Sequence, residues 1–277
     1  MSEAIDRLVQ VMARLRNPDG GCPWDLEQTF KSIAPYTLEE TYEVVEAIEQ
    51  DDPKAIKDEL GDLLFQIVFH AQMGREAGLF DIDQIANHVA DKMIERHPHV
   101  FGDRDANTAQ AVLSNWENDK AKKREAAADG KPVSALDGVS TALPASTRAV
   151  KLQNRAARVG FDWPQPCDIV AKIREEIGEL EAEIDTSDNQ DAIEDEFGDV
   201  FFAVINLARR LNVDPETALR RTNRKFERRF RGIEDRLAVH ERNIKDASLD
   251  EMEKIWGEVK MEERAATQSP KKQPKRG

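Results

Sequence analysis

Apolar side chains recur along this chain at intervals of three and four residues, and strand-like alternation is nearly absent. That spacing predicts helices over about 3–16, 35–50, 53–78, 82–96, 109–128, 144–158, 167–184, 189–211, 215–240 and 248–264. Between them fall turn and capping signals such as "NPDGGCPWD", "DDP" and "VDPE". The expected class is all-α. One run, "ELGDLLFQIVF" from Glu59 to Phe69, is apolar around most of its circumference, with one narrow stripe through Glu59, Asp62 and Gln66. It predicts a helix buried on all sides, in which an unpaired Asp62 is costly and needs something to balance it.

The chain contains its own duplicate. "LEETYEVVEAIEQDDPKAIKDELGDLLFQIVF" and "REEIGELEAEIDTSDNQDAIEDEFGDVFFAVI" share the skeleton EExxE followed by DExGDxxF. Glu40 answers Glu176, Glu43 answers Glu179, Glu59 answers Glu196 and Asp62 answers Asp199. The match runs outward through Trp24 and Trp163, Lys92 and Lys225, Arg96 and Arg229, Trp116 and Trp256, and Lys120 and Lys260. First tryptophan and last lysine are 96 and 97 positions apart in the two copies, so one unit occurs twice. The expected organisation is a first module over 1–125, a Gly-, Pro- and Ala-containing linker over 126–143, a second module over 144–264, and a polar basic tail over 265–277, read as a disordered, solubilising end.

Spacing then suggests chemistry. Glu40 and Glu43, like Glu59 and Asp62, stand three apart on a helix and share a face. Four converging carboxylates repel one another, and a hard divalent cation resolves the conflict; all-oxygen donors suit Mg²⁺ or Mn²⁺. Glu176, Glu179, Glu196 and Asp199 repeat the pattern. Each half alone has an ordinary explanation: EExxE as a solvated acidic face, Asp62 or Asp199 as a core hydrogen-bond acceptor or an Arg partner. Duplication with the same apolar flanks favours the metal. Gly61 and Gly198, costly inside a helix, suggest close packing beside the acids.

Composition narrows the partners. With 40 basic and 54 acidic residues in 277, the net charge is −14, which argues against broad contact with duplex nucleic acid or an anionic membrane. An anionic substrate needs locally placed cations. Cys22 and Cys167 are the only cysteines and form no metal-binding spacing, so a reducing cytoplasm is expected. No run is long and apolar enough for a membrane span, and no signal-peptide core opens the chain. His70, His88, His97 and His99 are read as ordinary helix and turn residues.

EExxE followed by ExxD in tandem, with "CPWD", "HPHVFGD", "SALDGV" and "KLQNRAARVGFDW", resembles the MazG family of nucleoside triphosphate pyrophosphohydrolases, in the all-α NTP pyrophosphatase superfamily. The resemblance covers nearly the whole chain except the tail. It implies Mg²⁺-dependent hydrolysis of nucleoside triphosphates to monophosphate and pyrophosphate, broad base tolerance, a role in clearing noncanonical nucleotides, and a homodimer of intertwined helical bundles. In the second module it makes Glu176, Glu179, Glu196 and Asp199 the expected metal ligands, with Glu175 beside them as a candidate to orient or deprotonate water. Asp195, which precedes the ligand pair, reads equally as an outer support or as part of a solvated face. Lys225 and Arg229 are placed at the triphosphate; Lys172, four before Glu176, can face the same site. Trp256 is a candidate to stack on a base, with a core role as the alternative. The first module keeps Glu39 and its four acids, yet Tyr36 stands where Lys172 would, so the second is expected to carry catalysis. Two other classes fit the residues less well. A di-iron bundle needs an ExxH element, absent at these positions, and a non-enzymatic helical adaptor needs no buried Asp.

Overall fold

A computed structural model describes residues 3–103, 108, 112, 116, 119, 134–186 and 189–268. Among them there is no strand, and the chain divides into two compact units, residues 1–127 and 128–277. The first contains α1 (Glu3–Leu15), α2 (Pro23–Glu27), α3 (Phe30–Glu49), α4 (Pro53–Glu76), α5 (Ile82–Arg96) and α6 (Pro98–Phe101). The second contains α7 (Ala145–Arg158), α8 (Pro166–Thr186), α9 (Gln190–Arg210), α10 (Pro215–Val239), a 3-10 turn (Ile244–Asp246) and α11 (Leu249–Gln268).

The turn signals act as helix starts. Asp52 caps α4 by accepting from the backbone N–H groups of Lys54 and Ala55, and Pro53 fills a first-turn position where no N–H is needed. Asp214 and Pro215 do the same for α10, with Thr217 as donor at 2.7 Å. Asp51, at φ 53°, lets the chain reverse between α3 and α4. α3 begins earlier than its periodicity predicts. Thr29 and Ser32 form a reciprocal capping box, and Pro35 lies inside the helix rather than at its first position. The short α2 falls in a stretch read as a turn.

α4 is the central element of the first unit, packed by α1, α3 and α5. Met12, Ile33, Val68, Phe69 and Met73 make its core, each at most 5% exposed. In the second unit α8 pairs with α9, α7 packs on α9, and α10 pairs with α11. Its buried apolar residues include Ala149, Ile169, Ala203, Ile233, Leu237 and Val259. Gln153, also buried, donates to the Phe202 carbonyl at 2.8 Å.

Two sequence expectations are corrected. The helix through Glu59–Phe69 is not buried on all sides, since Leu60 is 49% and Ile67 39% exposed and Asp62 itself is exposed. Within one chain the neighbours of α4 cover only part of its circumference. Gly61 and Gly198 are not sites of close packing; a Cβ at either would meet nothing within 4 Å. Of the predicted helix 109–128, residues 112, 116 and 119 are described and helical, while Lys120, the linker's residues 126–133 and the tail from 269 lie outside the described residues. α11 runs to Gln268, past the expected boundary at 264.

Candidate metal and nucleotide site

Each unit builds an acidic focus on a helical hairpin. In the first, Glu40 and Glu43 from α3 and Glu59 from α4 can place one carboxylate oxygen each within 4.8 Å of one another. In the second, Glu176 from α8 meets Glu196 and Asp199 from α9 within the same limit. The hairpins explain this. Residues three apart share a face, and antiparallel pairing brings the acidic face of one helix against that of the other.

The fourth acid of each set stands slightly apart. Asp62 is one turn beyond Glu59 and lies within electrostatic reach of Glu40 and Glu59. Partial burial first, then the charges of Glu43, Asp62 and Glu59, hold the Glu40 carboxyl above the usual carboxylate range; a hydrogen bond with Gln66 opposes this. Glu59 is pushed up by desolvation, then by Glu43, Asp62 and Asp58. In the second unit Glu179 is raised by its hydrogen bond with Glu176, by desolvation, and by the charges of Glu176 and Glu196. In the sequence Gln66 is only one member of a polar stripe. It is buried, and its Oε1 has no partner among the described residues.

Lys172 enters the second focus directly. Its Nζ donates to Glu175 Oε1 and pairs with Glu176 Oε1, both at 2.8 Å, which raises the lysine pKa. Glu176 is buried, whereas Glu175 and Asp195 are exposed. The other candidate substrate residues gather on the α10–α11 pair. Arg229 Nε is 2.8 Å from Glu263 Oε2, and its guanidinium lies 5.5 Å from the centre of the Trp256 ring. Trp256 also packs against Phe226 at 5.5 Å, and half-buried Lys225 precedes Arg229 by one turn. Glu263, which also binds Arg228 at 2.6 Å, was not foreseen, because nothing local marks a partner 34 residues away. Of the histidines, His70, His97 and His99 make ring contacts, while His88 is exposed. His70 Nε2 is 2.9 Å from Thr37 Oγ1 and its ring stacks on Phe30; His97 packs edge-on against Trp116.

Three carboxylates of this spacing fit a small hard cation. Opposite oxygens in an octahedral Mg²⁺ shell are about 4.2 Å apart, so these side chains need only small rotations to converge. The site and fold therefore define an all-α protein with two carboxylate-bearing hairpins, one per unit.

The family profile described as the MazG nucleotide pyrophosphohydrolase domain matches twice, at residues 28–101 and 165–232. Both matches include the acidic hairpins; the second also includes Lys172, Lys225 and Arg229, and Trp256 lies beyond it. The chain is 48% identical to the nucleoside triphosphate pyrophosphohydrolase of Escherichia coli strain K12, over 94% of this chain and 98% of that protein. It is 40% identical to the nucleoside triphosphate pyrophosphohydrolase/pyrophosphatase MazG of Thermotoga maritima, over 92% of this chain and 95% of the relative. A Mycobacterium tuberculosis nucleoside triphosphate pyrophosphohydrolase is 34% identical over 58% of this chain and 48% of its own length. The chain belongs to the MazG nucleotide pyrophosphohydrolase family. Among the described residues, no helix is long and apolar enough to cross a membrane.

Proposed function

We propose that this protein hydrolyses nucleoside triphosphates to nucleoside monophosphate and pyrophosphate, using Mg²⁺ or, in its place, Mn²⁺. The observation that carries this reading is the acidic focus, built twice within segments that match the family profile. Glu176, Glu179, Glu196 and Asp199 would hold the ion in the second unit, and Glu40, Glu43, Glu59 and Asp62 in the first. When bound, Mg²⁺ supplies Lewis-acid polarisation of a phosphoryl oxygen and lowers the pKa of coordinated water.

The chain's own residues do the positioning on which phosphoryl-type transfer mainly rests. Lys172, Lys225 and Arg229 meet the triphosphate, Glu175 orients or deprotonates the attacking water, and Trp256 offers its ring to the base. Stacking on a π-face accepts any base, which supports broad base tolerance and a role in clearing noncanonical nucleotides from the pool. The second unit carries the activity, because the first has Tyr36 in place of Lys172.

The same reading makes the protein a homodimer. Phe201, Phe202, Val204 and Leu219 are each at least 43% exposed, and the first three and Leu219 line an apolar groove of about 650 Å³. We place it in the cytoplasm, with both cysteines free. Identifying the products from ATP tests the reaction. AMP and pyrophosphate are expected; ADP and phosphate would place attack at the γ-phosphorus and end the proposal.

A further inference from the structure

The two acidic foci differ by one resident cation. Lys172 Nζ sits 2.8 Å from both Glu175 and buried Glu176. The position four before Glu40 is Tyr36, an uncharged side chain whose ring packs edge-on against Trp24 at 5.9 Å. No lysine therefore stands at that position to relieve the repulsion of the first focus.

Building on the metal reading above, we infer that Lys172 is a built-in counter-ion of the second site: it competes with the divalent cation for Glu176 and, once displaced, is delivered to the nucleotide phosphates. An ammonium is a compact charge with three donors on a flexible stem, so it can pivot between acceptors without backbone movement. Its side chain is 31% exposed, which leaves room for that pivot, while Glu176 is held at 9%. While Nζ stays on the Glu176 carboxylate it would oppose a divalent charge there, and a triphosphate would give Nζ an alternative anionic partner. Ion and nucleotide then strengthen each other's binding in the second unit. The first unit, lacking the lysine, binds an ion without that coupling.

The test is a calorimetric Mn²⁺ titration of the full chain carrying Glu40→Gln and Glu59→Gln, which silences the first focus. It is repeated with Lys172→Met, Lys172→Gln and Lys172→Arg added. Without nucleotide, the Met and Gln chains should bind Mn²⁺ about tenfold more tightly than the Lys172 chain, and the Arg chain within about twofold of it. A non-hydrolysable α,β-methylene triphosphate should tighten Mn²⁺ binding more in the Lys172 chain than in the Met or Gln chain. Mn²⁺ binding that is unchanged or weaker in both neutral variants leaves the metal site standing and overturns the counter-ion. An absence of Mn²⁺ binding in every chain, with or without the analogue, overturns both. Two neutral replacements keep the test decisive where one fails to fold, as judged by circular dichroism.

Discussion

Arg16, just past the end of α1, reaches Glu76 at the end of α4, with Nη2 2.7 Å from Oε2 across 60 positions of sequence. The same guanidinium donates from Nη1 to the carbonyls of Asp25 and Gln28, and it lies over the Phe69 ring at 5.4 Å. One side chain therefore fastens the segment containing Trp24 to the central helix. Arg16→Met should lower the stability of the first unit by about 2 kcal/mol, the scale of hydrogen bonds to a charged group. Lys in its place should recover less than half, because it lacks the planar fork. Urea unfolding followed by circular dichroism measures both, and an unchanged midpoint for Arg16→Met would remove this role.

Glu176→Ala and Asp199→Ala should each reduce pyrophosphate release by about two orders of magnitude or more while leaving helical content intact, because each removes a proposed ligand of the ion on which turnover depends. Glu40→Ala and Asp62→Ala should have smaller effects. If the first-unit changes abolish turnover and the second-unit changes do not, the assignment of catalysis to the second unit is reversed.

The raised carboxyls of Glu40 and Glu59 make a signed prediction about pH. Between the ordinary carboxylate pKa and the raised folded value, the folded state binds more protons than the unfolded state, so stability falls as pH rises through that window. Without divalent ions, the penalty should be complete at neutral pH and absent below the ordinary pKa. The double change Glu40→Gln and Glu59→Gln should flatten this component, and Mg²⁺ should oppose the penalty in the native chain. Equal pH slopes for native and double-variant chains in EDTA would contradict it.

Glycines separate open space from contact. Gly61→Ala should stabilise the chain by up to about 1 kcal/mol, the helix-propensity difference, because its Cβ meets nothing within 4 Å. Gly74→Ala should destabilise it, since the added carbon falls 2.5 Å from the Phe80 ring and 2.7 Å from its carbonyl oxygen. Thermal midpoints decide between them, and a loss at Gly61 would mean that in solution something fills that space.

The exposed face of α9 should be an interface. Phe201 is 55% exposed beside the apolar groove, and Phe201→Glu puts a charge where an apolar partner would pack. Light scattering should give a dimer for the native chain and a monomer for the variant. A native chain that is monomeric at micromolar concentration refutes the proposed dimer.

Much of this organisation follows from local rules that sequence states directly. Helical periodicity, Asp–Pro starts and the EExxE/ExxD duplication require only near neighbours, so they mark the all-α class, the duplicated module and six of the acids that meet: Glu40, Glu43, Glu59, Glu176, Glu196 and Asp199. The remainder depended on contacts between distant segments. Which acids converge most closely, the burial of Gln66 beside Glu40, and the meeting of Arg229 with Glu263 and Trp256 are set by how helices pack. The apolar run from Glu59 to Phe69 shows the limit most clearly. Periodicity can say that a helix has apolar sides, but only tertiary packing decides which of those sides finds a neighbour within the chain, because burial belongs to the pair of surfaces and not to either alone.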